Sequence, residues 1–155
     1  MLSEWLEQID ESDRENNWIM CLCPVGKRCL VVASEGITSV YNKGGRLIAR
    51  HSSKLPGGSR ENKTDQTIID CIYNEILRTY FILDILEWKL KNHPMTDSES
   101  EFRFYWIKCK LDEQPDLNLN SRENPYKFCD LPRLNKCSSL EIQKMFEKPY
   151  EFEVN

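Results

Sequence analysis

The segment from Trp18 to Tyr41, WIMCLCPVGKRCLVVASEGITSVY, constrains the fold more than any other. It holds three short apolar runs rich in Val, Ile and Cys, separated only by turn residues. Runs this close together leave no room for helices between them, so their backbone groups must pair with one another. Pro24-Val25-Gly26-Lys27-Arg28 forms the first junction, with a conformationally restricted Pro, a permissive Gly and two adjacent cations. Such a junction concentrates backbone donors and positive charge where an anion can bind. The same residues also make an ordinary hairpin with Lys27 and Arg28 in water, and taken alone the segment favours that reading.

The strand candidates are Trp18–Cys23, Cys29–Ser34, Thr38–Tyr41, Leu47–His51, Thr67–Tyr73, Thr79–Leu86 and the aromatic run Phe102–Leu111. Leu55–Gln66 is Gly-rich and polar and predicts a loop, as do Lys89–Ser100 and Asp112–Pro125. Leu2, Trp5, Leu6 and Ile9 recur at helical spacing and predict one short amphipathic helix. Ser138-Ser139-Leu140-Glu141 fits a capping box that opens a helix through Phe146. Pro149–Asn155 reads as the entrance to one more strand. The expectation is an α+β fold over residues 1–155 as a single domain: a mainly antiparallel twisted sheet with a few helices.

Composition narrows the function classes. The chain is 40% apolar and 30% charged over 155 residues, as in a globular domain with its own core. No run approaches the roughly 18 apolar residues of a membrane span, and the start lacks the basic stretch of a signal peptide. No membrane partner is expected. A net charge of −4 argues against wrapping long DNA by counterion release, but leaves room for a small anionic group in a local basic pocket. The seven cysteines are odd in number and mostly lie in apolar runs, which predicts reduced thiols. Cys21-Leu-Cys23 is not a zinc spacing, and His51 and His93 have no partner pattern, so neither a metal site nor a cofactor is expected.

The order of several motifs resembles the cap-binding domain of the snurportins, the adaptors that import spliceosomal small nuclear ribonucleoproteins. The residues that carry it are Leu2-Ser3-Glu4-Trp5-Leu6, Cys23-Pro24-Val25-Gly26-Lys27-Arg28, Val32-Ala33-Ser34, Ser39-Val40-Tyr41, Leu55-Pro56-Gly57-Gly58, Ile69-Asp70-Cys71-Ile72-Tyr73-Asn74-Glu75 and Phe102-Arg103-Phe104-Tyr105-Trp106. That family is in turn similar to RNA capping enzymes and ligases, whose K-x-D-G-x-R lysine attacks a nucleotide α-phosphate. Here Cys23 stands in place of that lysine and Val25 in place of the acidic residue. A phosphoramidate needs an amine there, and Cys23 is none. The enzymes' Y-x-R-x-G resembles Tyr41-Asn42-Lys43-Gly44-Gly45. Their L-D-G-E resembles Ile69-Asp70-Cys71-Ile72, with the Glu gone. The resemblance therefore implies a nucleotidyltransferase-like fold with the pocket kept, no catalytic residues and no enzymatic activity.

It also implies a ligand, the trimethylguanosine cap of small nuclear RNA, and places Ser3, Trp5, Cys23, Lys27, Arg28 and Lys43 at the cap. Methylation at N7 makes the guanine cationic, so aromatic stacking gains a cation–π component. The doubly methylated N2 edge favours an apolar neighbour such as Trp5. Ser3 suits a polar edge of the base, and Lys27, Arg28 and Lys43 suit the triphosphate. By residue type alone, Trp5 reads first as an anchor of its helix, Lys43 as a solvated turn residue, and Arg103 as a structural strand-edge cation near Asp84 or Glu101. Family membership further implies importin β and an export receptor as partners, and shuttling between nucleus and cytoplasm.

The pattern departs from the family at both ends. The basic importin-β-binding segment does not precede Leu2. The match stops at Phe152-Glu153-Val154-Asn155, before the family's D-G-L-L-F-Y-like strand and the V-G-W segment whose Trp stacks on the cap. Trp88 and Trp106 lie elsewhere in the pattern. The domain is thus expected to be incomplete at its C-terminus, with an unpaired sheet edge and weak cap binding. Two other readings stay open: a divergent guanylyltransferase or ligase-like enzyme, and a truncated fragment that binds nothing tightly.

Overall fold

The computed structural model describes residues 18–89 and 94–154. The helix expected around Leu2–Ile9, and with it Ser3 and Trp5, lies outside the described residues. In chain order the elements are β1 (Met20–Cys21), β2 (Lys27–Ser34), β3 (Ile37–Asn42), β4 (Leu47–His51), β5 (Gln66–Asn74), β6 (Thr79–Lys89), helix α1 (Ser100–Glu113), β7 (Lys127–Cys129), β8 (Arg133–Leu134) and helix α2 (Ser139–Phe146). They divide into two units, one holding the described residues 18–22 and 132–151, the other 23–131 and 152–154.

The larger unit is built on a six-stranded sheet in the order β4-β3-β2-β5-β6-β7. All neighbours are antiparallel except β6 and β7. The fold is α+β and mainly antiparallel, as the sequence implies. β2 shows why it lies at the centre. Its odd positions Cys29, Val31 and Ala33 are buried, while Leu30, Val32 and Ser34 are half-buried. Opposite them on β5, Cys29 meets Cys71, Val31 meets Ile69 and Ala33 meets Thr67. Period-2 alternation on both strands thus gives one shared core face. Val40, Leu55, Ile82, Ile85, Ile107, Leu117 and Phe128 complete that core. Burial pushes the Cys29 thiol up to about 12 and holds Cys71 well above its ordinary value, so both are inert packing groups.

The Leu55–Gln66 segment is a loop, but its first four residues, Leu55–Gly58, are buried. Gly36 donates its amide to the Gly57 carbonyl, and Thr67 donates its hydroxyl to the Pro56 carbonyl. Gly57 sits at φ +89°, and a Cβ there would lie 2.4 Å from the Asp65 carbonyl oxygen. Only Gly satisfies both the left-handed backbone and the close approach.

One expected strand is a helix. Phe102–Leu111 lies inside α1. Its aromatic content suggests β structure, but its burial has helical period. Phe104, Ile107 and Leu111 pack into the core, whereas Phe102, Tyr105 and Lys108 are exposed. Glu101 in the first turn and Lys110 in the last suit the helix dipole. Arg103 is indeed paired with Asp84, through Nε at 2.8 Å and Nη2 at 2.9 Å, but from this helix rather than from a strand edge. Trp88 is 7% exposed within the core cluster, and Trp106 packs against that cluster with the Lys110 ammonium over its ring.

In the smaller unit, β1 pairs with β8 and the Leu22 amide donates to the Pro132 carbonyl. Regular pairing covers only Met20–Cys21 of the expected Trp18–Cys23 strand, because β8 is itself two residues long. Ser138 caps α2 as its sequence predicts, accepting from the Glu141 amide at 3.3 Å. The final segment contributes a single bridge, Val154 to Pro24, within the larger unit.

Two predictions follow from the packing. In a strand, Tyr105 and Ile107 would share a face; in α1 they do not. Ile107→Ala should cost about 2–5 kcal/mol in chemical denaturation, and Tyr105→Ala no more than about 0.5 kcal/mol; equal losses would contradict the helix. The second concerns His51, which packs against Tyr80 and Tyr126. Its Nδ1 faces the Ser52 carbonyl at 2.8 Å and its Nε2 the Tyr80 hydroxyl at 3.4 Å, an arrangement that suits the neutral ring. Burial lowers its pKa. The unfolded chain then binds the extra proton first, so His51 stabilises above about pH 6.5, and that contribution is lost as pH falls through the lower folded value. His51→Gln should flatten the fall in melting temperature between pH 7 and 5; an unchanged slope would show that His51 is not its source.

Candidate functional site

Of the expected ligand-facing residues, Cys23, Lys27, Arg28 and Lys43 lie in the larger unit. The register brings them to one end of its sheet. Lys27 and Arg28 open β2, and Cys29 lies opposite Asn42, the last residue of β3. The β3–β4 turn, with Lys43, therefore projects from the same end as the Cys23–Arg28 junction, with adjacent strands about 4.8 Å apart.

The junction is tightly held. The Val25 amide donates to the Glu153 carbonyl at 2.8 Å, and Asn74 Nδ2 donates to the Val25 carbonyl at 3.0 Å. A Cβ on Gly26 would lie 2.6 Å from both the Tyr73 carbonyl oxygen and Ile72 Cγ2. Gly26 is thus required by close approach to β5. The Val25 amide is already used inside the protein, so the turn itself offers fewer backbone donors than its sequence suggests.

Strand alternation separates the two cations. Lys27 shares a face with Cys29, and Arg28 takes the opposite one with Leu30. Arg28 is half-buried and forms a two-pronged pair with Asp70 of β5, through Nε at 3.1 Å and Nη2 at 2.5 Å. This hydrogen bonding raises the Arg28 pKa against the opposing effect of burial, and Cys23 adds a smaller contribution in the same direction. Nη1 stands outside the pair with Asp70 and keeps its donors. Lys27 is 80% exposed and lies 3.7 Å from Glu75, a loose surface pair.

Lys43 is exposed at the hairpin tip. The tip is ordered by Asn42, whose side-chain oxygen accepts from the amides of Gly44 and Arg46, both at 3.0 Å. Its backbone carbonyl accepts from Gly45, which sits at φ +76°. An Asx turn followed by a left-handed glycine fixes the direction in which Lys43 and Arg46 leave the sheet.

The residue that sequence reasoning missed here is Asp70 as the partner of Arg28. The signal was present: a carboxylate between Ile69 and Cys71 in an otherwise apolar strand needs a counter-charge. Among the described residues no group of three or more His, Cys, Asp and Glu is arranged to hold a metal.

Removing Asp70 strands a half-buried guanidinium. Asp70→Ala should destabilise the protein by about 1.5–3 kcal/mol, with Lys27→Ala within about 0.5 kcal/mol of wild type. Urea melts of the two variants measure this, and a neutral Asp70→Ala would show that Arg28 is held by something else.

Over its whole length, residues 1–155, the sequence matches the family described as Snurportin1, m3G cap-binding domain. The end of the sheet that gathers Cys23, Arg28 and Lys43 therefore belongs to a member of the snurportin m3G cap-binding domain family.

Proposed function

We propose that this chain binds the trimethylguanosine cap of small nuclear RNA without catalysis, as the recognition part of an adaptor for nuclear import of spliceosomal small nuclear ribonucleoproteins. The observation that carries the reading is the family match across the whole chain. In this reading Arg28 and Lys43 meet the triphosphate, the first through the donors it does not share with Asp70. Cys23 is a further contact in this reading, and Ser3 and Trp5 contact the methylated base. Lys27 serves at longer range, from the other sheet face. Importin β and an export receptor are the protein partners, and the protein moves between cytoplasm and nucleus.

The chemistry of the junction supports the absence of catalysis. Nucleotidyl transfer needs an amine in line with the α-phosphate, made reactive by its surroundings. Cys23 occupies that position in the motif. The nearest amine in sequence, Lys27, is exposed beside Glu75 and leaves the strand on the face opposite Arg28. Nothing desolvates it or presents it to a phosphate held by Arg28.

Fluorescence titration with trimethylated, monomethylated and unmethylated cap dinucleotides tests the proposal. The trimethylated cap should bind tightest, and a buried methyl contact worth about 1–3 kcal/mol sets the scale of the preference. Lys43→Ala should weaken binding of all three while leaving the melting temperature unchanged, since an exposed turn lysine contributes little to folding. Equal affinity for the three caps would overturn the cap assignment. A covalent nucleotide adduct on any lysine, after incubation with GTP and a divalent metal, would overturn the absence of catalysis.

A further inference from the structure

From Gly36 to Arg60 the sequence contains no Asp or Glu, although the chain holds 25 acidic residues against 21 basic ones. The same stretch carries Lys43, Arg46, Arg50, Lys54 and Arg60. It folds as the β3–β4 hairpin and the loop that follows. Within the stretch Lys54 is paired with Glu123, and elsewhere in the larger unit Lys27 is paired with Glu75, Arg28 with Asp70, Arg103 with Asp84 and Lys110 with Glu113. Among the described residues, Lys43, Arg46 and Arg50 have no acidic partner within ion-pair distance, and all three are exposed.

Their placement is ordered. Arg50 lies opposite Ser39, and Ser39 opposite Val32, so Arg50 shares the sheet face of Leu30, Val32 and Arg28. Lys43 and Arg46 leave the tip that Asn42 fixes, at the same end as Arg28. From that end β4 runs back along the outer edge of the sheet, and Arg50 is four residues beyond Arg46, about 13 Å at the usual rise per residue. That spacing is more than one Debye length at physiological salt, so Arg50 acts as a separate contact point for an extended polyanion rather than through a field merged with that of Arg46. The result is a positive strip that starts beside the proposed phosphate contacts and leads away from them along an open strand.

We propose that the β3–β4 hairpin is a track for the sugar–phosphate backbone of the RNA that follows the cap, with Arg46 and Arg50 neutralising phosphates beyond the cap's own triphosphate. The inference rests on the cap-binding reading for where the RNA starts, and adds a second contact region for the RNA body. Single-stranded RNA suits the strip: a groove or ridge of cations follows its backbone without reading its sequence. A competing account is that Arg46 and Arg50 merely guard the exposed β4 edge, with its exposed Leu47 and Ile48, against pairing with another sheet.

The test uses the full chain and an R46Q/R50Q double variant. Both are titrated with the trimethylated cap dinucleotide, with a trimethyl-capped oligoribonucleotide of about ten nucleotides, and with the same oligoribonucleotide uncapped, at several salt concentrations. The track predicts that the capped oligoribonucleotide binds tighter than the dinucleotide and with a steeper salt dependence. The double variant should lose about 0.7 of log–log slope per phosphate contact, a change of roughly sevenfold between 50 and 200 mM salt for two contacts, with dinucleotide affinity unchanged. A capped oligoribonucleotide that binds no tighter than the dinucleotide, or a variant with the wild-type slope, would overturn it. A variant that self-associates in sedimentation while keeping the wild-type slope would establish the edge-guard account instead. If wild type shows no cap preference, but the uncapped oligoribonucleotide binds with a slope the variant loses, the cap reading fails and the track stands. If wild type binds none of the three, both fail.

Discussion

The pairing of β2 with β5 is the constraint on which the larger unit depends. Lys27–Ser34 run antiparallel to Tyr73–Gln66 in unbroken register. That register places Cys29, Val31 and Ala33 against Cys71, Ile69 and Thr67, and so decides which face becomes core. A slip of one residue would turn these side chains to solvent and bring Arg28 and Asp70 into the core instead. The bulges of the sheet fall in β3–β4 and β5–β6, on either side of this central ladder. The same alternation divides the two cations at its start. Lys27 and Arg28 are adjacent in sequence, yet cannot serve one small ligand equally.

In the proposed reading, the Arg28–Asp70 pair links register to function. It joins the two central strands on the face away from the core, where both groups are largely but not fully withdrawn from water. A pair in that position repays its desolvation only with good geometry, and here Nε and Nη2 both engage the carboxylate. The remaining donors of Arg28 are thereby held in a fixed direction. A guanidinium clamped on one side makes a better phosphate contact than a free one, because less side-chain freedom is lost on binding. On the proposed function one residue then serves both folding and binding, which its bare identity in the sequence does not show.

Much of this was legible in the sequence, and the failures have physical causes. Strands such as Leu47–His51, Thr67–Tyr73 and Thr79–Leu86 declare themselves through β-branched content and flanking turn residues, and the Ser138 cap through its Glu three residues on. Phe102–Leu111 misleads because Phe, Tyr, Trp and Ile favour strands locally, while tertiary packing of Phe104, Ile107 and Leu111 decides for helix. The Leu55–Gly58 turn reads as a surface loop. Its burial depends on long-range bonds to Gly36 and Thr67, which no local pattern reports. At the candidate site, the sequence identifies Cys23, Lys27, Arg28 and Lys43 through a resemblance. Period-2 alternation could have separated Lys27 from Arg28 in advance. The choice of Asp70 as partner depends on a contact 42 residues away in sequence.

Net charge is a poor guide to a ligand of this kind. A chain at −4 repels a long polyanion as a whole, but the field at one end of a sheet is set by charges within about a Debye length. Here that neighbourhood is sorted. Carboxylates neutralise Arg28, Lys54, Arg103 and Lys110, while the hairpin of Lys43, Arg46 and Arg50 contains none. An acidic remainder then has its own use. In the proposed reading it weakens the general attraction of RNA to the rest of the surface, so that binding favours the strip. Discrimination of a capped end from the body of other RNAs is a difference between two affinities. In the proposed reading, an ordered cluster of cations in one hairpin raises the affinity for a capped end, while the net negative charge of the chain lowers that for RNA elsewhere.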